Sequence, residues 1–167
     1  MMVLMSGVSL AEEKVEPAVV AASSQVDYAG FQQMTEEVKS HREKRLVKIE
    51  QFNKMAKQPN TIILDTRSLG NFTGRHIKGA IHLNFSEFSD KKLSDLIPDK
   101  NTRVLIYCNN NFKDDPLTMV MKSRPLALNI PTYINLYGYG YKNVYELSDY
   151  LSVYDKRVKF EGTMLNW

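Results

Sequence analysis

The apolar residues change period several times along the chain, and each change marks an element. Phe31, Met34 and Val38 recur at helical spacing among charged residues, predicting a helix that ends near Glu43 within an N-terminal helical unit, residues 29–45. Leu46, Val47 and Ile49 read as a short strand running into a second helix, Glu50 to Lys57, with Phe52, Met55 and Ala56 facing inward. Gln58-Pro59-Asn60 stops that helix, because proline cannot continue it and disfavours helical geometry in the residue before. Thr61 to Asp65 is a short β-branched run ending on a carboxylate, the pattern of a strand buried on both faces of a parallel sheet.

The alternation continues downstream. Ala80 to Leu83 is a strand candidate, Lys91 to Ile97 a short helix, and Arg103 to Tyr107 the strand that carries Cys108. Pro125 to Tyr137 reads as a helix that Pro131 either breaks or forces to start late. Asn143 to Leu147 gives the last strand, and Ser148 to Lys156 a terminal helix or turn. Strands separated by helices in this order predict an α/β fold with a mainly parallel sheet, one domain over residues 46–157 followed by a tail, 158–167.

Composition narrows the picture. With 167 residues, 43% of them hydrophobic, the chain can bury one core but hardly two. The 22 Lys and Arg against 19 Asp and Glu leave +3, with no dense basic block and no aromatic interleaving, so a nucleic-acid partner is not expected. One cysteine and three scattered histidines, His41, His76 and His82, exclude an internal disulfide and give no metal-ligand spacing; no metal or cofactor is expected.

Residues 1–28 read as a leader. Ser9-Leu10-Ala11 before Glu12 has the small residues of a signal-peptidase site, although no Lys or Arg precedes Lys14, and the apolar run is too short for a membrane span. The expectation is cleavage near Glu12, a flexible segment to Tyr28, and a periplasmic or secreted protein, cytoplasmic otherwise.

The candidate chemistry lies in VLIYCNNNFKDDP, where an apolar strand delivers Cys108 into Asn109, Asn110, Asn111, Phe112 and Lys113. Sites in open α/β sheets lie at the carboxyl ends of strands, which is where Cys108 stands. Asn109 to Lys113 contain no proline, so all five N–H groups are available to curl around a thiolate, and Lys113 adds a cation. Asp114 and Asp115 act the other way, since carboxylates beside a thiol raise its pKa. The competing reading is a small buried cysteine with no chemistry. The loop alone leaves both open.

Ile63-Leu64-Asp65-Thr66-Arg67, followed by Gly74-Arg75-His76-Ile77-Lys78-Gly79-Ala80, resembles the D-x-R strand end and G-H-I-x-G-A turn of the rhodanese-like domain family. Val104 to Cys108 is similar to its active-site strand and nucleophile, and Gly140 to Leu147 to its last strand. The resemblance implies a three-layer domain and a sulfurtransferase. In such an enzyme Cys108 takes a sulfane sulfur from a small donor such as thiosulfate as a persulfide and passes it to a thiol or cyanide. Asn109 to Lys113 would form the substrate-binding loop, while Asp65, Arg67 and His76 are read as structural residues near the site. A catalytically weak module that binds a partner protein or an anion is the alternative.

Two departures from the family stand out. Its usual loop, C-x-x-G-x-R, here has Asn111 for the glycine and Lys113 for the arginine, which keeps the charge and loses the planar fork. Residues 114–124, DDPLTMVMKSR, resemble an insertion beside the site, with Leu117, Met119, Val120 and Met121 able to cover it or meet a protein partner. The related cell-cycle phosphatases hold phosphate with an arginine at the position of Asp114, so phosphatase chemistry is not expected.

Overall fold

The computed structural model describes residues 24–165; the predicted cleavage near Glu12 lies outside them. In chain order the elements are α1 (Tyr28–Glu43), β1 (Leu46–Val47), α2 (Ile49–Ala56), β2 (Thr61–Asp65), α3 (Leu69–Gly74), β3 (His76–Ile77) and β4 (Ala80–His82). Then follow α4 (Asp90–Leu96), β5 (Arg103–Tyr107), β6 (Phe112–Lys113), α5 (Asn129–Gly138), β7 (Val144–Leu147), β8 (Leu151–Ser152) and β9 (Phe160–Glu161). The central sheet has five parallel strands in the order β1-β7-β5-β2-β4.

Side-chain alternation along the strands makes the two apolar layers. Leu64, Val104, Ile106 and Val144 point to one face, where Val38 of α1, Leu93 of α4 and Tyr133, Ile134 and Leu136 of α5 cover them. Ile63, Leu105, Tyr107 and Leu147 point to the other, against Ile49 and Phe52 of α2. Both faces are therefore dry, as the unbroken apolar runs of β2 and β5 require. Helix starts follow their caps: Asp27 accepts from the Gly30 N–H at 2.8 Å, so α1 begins at Tyr28, ahead of Phe31. Pro131 falls in the first turn of α5, where a missing N–H breaks no helical bond, which settles the choice between break and late start.

Two segments depart from expectation and a third decides between alternatives. Ser148 to Lys156 contain a turn at Val153–Tyr154 and no helix; Leu151–Ser152 form β8, which pairs in parallel with β6, and Leu151 and Val153 are buried at alternate positions. Helix α3, capped by Ser68, was hidden by its two glycines and its lack of an apolar stripe. The segment read as a tail carries β9, antiparallel to β3, and Val158 is buried. Gly79 has φ +80, as its turn demanded. Among the described residues no helix is long and apolar enough to cross a membrane.

Candidate active site

Cys108 follows β5 directly and is 1% exposed. Behind it Asn109–Asn111 form one 3-10 turn, in which the Asn111 N–H donates to the Cys108 carbonyl (3.1 Å) and the Phe112 N–H to that of Asn109. Two of the five N–H groups expected around the sulfur are thus committed to the turn. The N–H groups directed at the thiol come from Asn110 and from Leu128 and Asn129, where α5 begins. Burial is the largest influence on this thiol and pushes its pKa up, Glu146 pushes it further, and the three N–H groups pull it down; the net direction is up.

Asn111 is a buried clamp. Its Oδ1 accepts from the Cys108 N–H (2.9 Å) and from Asn129 Nδ2 (3.1 Å), and its Nδ2 donates to the carbonyls of Leu147 (2.7 Å) and Asp149 (3.0 Å). A carboxamide thus organises the turn where the family's usual glycine would offer only backbone. Phe112 is wholly buried, packed edge-on to Tyr107 and Phe160. Lys113 lies on β6 with its side chain in solvent, while its carbonyl accepts from the Val153 N–H at 3.0 Å.

Residues 114–124 are strapped across this turn. Asn109 Nδ2 donates to the Val120 carbonyl (2.8 Å), and Asn110 exchanges bonds with the backbone of Lys122 (2.7 and 3.1 Å). Arg67 donates to Asn109 Oδ1, to the Thr118 carbonyl and to Met119 Sδ, so one guanidinium joins β2, the turn and the strap. Of the four apolar residues in this segment only Met119 is buried; Leu117, Val120 and Met121 stay exposed. Asp115 is committed to Arg75 at 2.8 Å and to the Thr118 hydroxyl and N–H. Glu146 is a carboxylate that raises the thiol's pKa.

Asp65 and Arg67 form a buried ion pair at 2.6 Å, to which the Tyr107 hydroxyl also donates. His76 bonds the Phe72 carbonyl through Nδ1 (2.7 Å) and stacks on the Phe72 ring. It lines neither depression beside Cys108.

Those depressions flank the turn. One, about 250 Å³, is lined by Cys108 together with Arg42, Arg124, Asn129 and Glu146. The other, about 330 Å³, lies between Arg67, Asn71, Phe85, Asn109 and Lys122, and does not reach the sulfur. A hollow of about 500 Å³ beside the start of β2, with Lys57, Lys78, Arg157 and Lys159, does not include Cys108, so its greater size does not make it the reaction site. Arg42, Asn129 and Glu146 were not foreseen. The single signal was Glu146, a carboxylate inside an otherwise buried strand.

Comparison with known families decides the relationship. The model of the rhodanese-like domain matches residues 48–152. The chain belongs to the rhodanese-like domain family. A tRNA uridine(34) hydroxylase of Legionella pneumophila is 27% identical over 103 residues, which are 60% of this chain and 35% of that protein. The chain thus spans about a third of that relative's length. Among solved structures, the BH2092 protein of Bacillus halodurans aligns over 81% of this chain and 86% of its own with a TM-score of 0.51 at 14% identity, a likeness of fold. A thiosulfate sulfurtransferase of Pseudomonas aeruginosa aligns over 71% of this chain and 20% of its own at 20% identity, with a TM-score of 0.47. A rhodanese of E. coli, solved with anions, aligns over 62% of this chain and 99% of its own at 20% identity, with a TM-score of 0.41.

Proposed function

We propose that this rhodanese-like protein is a sulfurtransferase that carries a sulfane sulfur on Cys108. The observation that carries the reading is the place of Cys108 at the carboxyl end of β5, in the wall of a depression shared with Arg42, Arg124, Asn129 and Glu146; there the N–H groups of Asn129, Asn110 and Leu128 act on its thiol against burial. Fixed N–H groups in a site shielded from water favour a negative sulfur without reorganising.

With thiosulfate as donor, the Cys108 thiol first loses its proton. The thiolate then attacks the outer sulfur of the donor, the bond between the two donor sulfurs breaks, and sulfite leaves with the electron pair. Cys108 is left as a persulfide. A thiol or cyanide attacks the terminal sulfur in the second step, taking it as a persulfide or as thiocyanate and returning the thiolate. Asn110 supplies one N–H to the sulfur, and Asn109 and Asn111 set the shape of the turn by their side-chain bonds. Phe112 supports the turn from the core, and the exposed Lys113 supplies positive charge beyond its end.

The test is thiocyanate formation from thiosulfate and cyanide. The wild type should turn over and Cys108→Ser should be inactive, because a hydroxyl does not accept the sulfur; equal background rates for both would refute the proposal.

One observation favours the second reading, a binding module of weak activity: the thiol is almost wholly buried and its pKa is raised. That reading predicts a folded protein whose Cys108 stays silent to iodoacetamide across the pH range in which the enzyme reading predicts a rising rate.

A further inference from the structure

Helix α1 lies outside the matched family domain, which begins at residue 48, yet it reaches the depression that holds Cys108. The sheet order explains how. Strand β7 lies beside β5 with Glu146 opposite Ile106, so Glu146 points to the same face as Ile106, the face covered by α1 and α5. There Glu146 is 5% exposed and its carboxylate accepts two bonds from Arg42 of α1, from Nε and Nη2, both at 2.6 Å. This is the fork geometry that arginine alone among the side chains provides.

The pair continues to the nucleophile. Asn129 Nδ2 donates to Glu146 Oε1 (3.3 Å) and to Asn111 Oδ1 (3.1 Å), and that same oxygen accepts the Cys108 N–H at 2.9 Å. A chain of side chains thus runs from Arg42 through Glu146, Asn129 and Asn111 to Cys108. The backbone N–H of Asn129, in the middle of that chain, is one of those directed at the sulfur.

We propose that Arg42 is a positioning residue of the Cys108 site. Its guanidinium cancels the charge of Glu146 beside the sulfur and fixes Asn129, so that α1 is part of the reactive unit rather than an appendage to it. An unpaired buried carboxylate at this place would oppose any negative sulfur on Cys108, in the thiolate and in the persulfide alike.

The other charged groups around the depression do not replace Arg42. Asp149 is paired with Lys48 at 2.9 Å. Arg124 lies at the rim in solvent, where water screens it. Tyr133, which faces the pair from α5, has its hydroxyl pushed up by burial and stays neutral, and Tyr150 is exposed.

The inference rests on Cys108 as the reacting group. Alkylation by neutral iodoacetamide needs no sulfur donor, so its outcome is independent of whether the protein transfers sulfur. The rate is measured against pH on the full folded chain for wild type, Arg42→Ala, Glu146→Gln and the double variant. Arg42→Ala should move the profile up by about one pH unit, about tenfold slower at a fixed pH below the midpoint. Glu146→Gln in the same chain should bring the rate back to within about twofold of wild type, since the charge being masked is gone. Glu146→Gln alone should react faster than wild type, with Arg42 then uncompensated. A merely structural role for Arg42 predicts an unshifted profile for Arg42→Ala, or a slow rate that the second substitution does not rescue, and either result overturns the proposal. Should Arg42→Ala fail to fold by thermal melting, the single Glu146→Gln variant decides: faster alkylation supports the charge mask, and an unchanged rate overturns it.

Discussion

Nη2 of Arg67 lies 2.6 Å from Oδ2 of Asp65, with both side chains shielded from water, and the same guanidinium donates to Asn109, Thr118 and the Arg75 carbonyl. The end of β2, the nucleophile turn and the strap are thereby tied at one point. Removing one member leaves a buried charge without a partner, which costs more than removing both. Arg67→Met should therefore lower unfolding free energy by about 3–5 kcal/mol in urea titration. Adding Asp65→Asn to that variant should recover part of the loss.

Asn111 carries four hydrogen bonds in a buried place, which makes it the residue least replaceable in the turn. Asn111→Gly, the residue usual in the family, should cost stability because the Cys108 N–H and the Leu147 carbonyl lose their partner. Each unsatisfied buried group costs about 1–3 kcal/mol, read by chemical denaturation. A neutral outcome would mean that water replaces the carboxamide.

Within the strap, Met119 is buried against Arg67 while Leu117, Val120 and Met121 are not. Met119→Ala should lower stability by about 2–5 kcal/mol, as for other buried side chains cut back to alanine. Serine at Leu117, Val120 or Met121 should change it by no more than about 0.5 kcal/mol, the usual range at the surface. Thermal melts of the four variants compare them directly.

Burial sets the direction of the Cys108 titration, and the direction fixes the pH dependence of its reactivity. A thiol raised above its ordinary value is neutral through that value, so alkylation should fall about tenfold for each pH unit below its midpoint and level off above it. Lys113→Ala should leave this profile unchanged within about twofold, because its exposed cation is screened by solvent. A large upward shift would show Lys113 acting on the sulfur directly.

Much of the fold was legible because β2 and β5 are buried on both faces and so carry unbroken apolar runs. Pro131 left a break and a late start of α5 both open, and its place in the first turn decides for the late start. Strands β6, β8 and β9 are two residues each, too short to show any period, and they appear only when the chain closes on itself. In the candidate site, the strand-end position of Cys108 and the pairing of Asp65 with Arg67 could be read locally. The Arg42–Glu146 pair could not, since its members are 104 residues apart and meet only because β7 sits beside β5 under α1. The asparagines were read as a cradle of N–H groups; their side chains instead bind the strap and the end of β7, partners that the loop sequence does not contain.

The central claim is that Cys108 holds a transferable sulfur. Intact-mass spectrometry of the folded protein after incubation with thiosulfate and removal of the donor tests it most directly, because it reads the persulfide before any acceptor is involved. The wild type should gain the mass of one sulfur atom, peptide mapping should place it on Cys108, and cyanide should remove it while Cys108→Ser never acquires it. An unchanged wild-type mass, in a preparation whose Cys108 still reacts with iodoacetamide, would contradict the claim for thiosulfate. The same null result with persulfide donors would leave a rhodanese-like domain that does not carry sulfur.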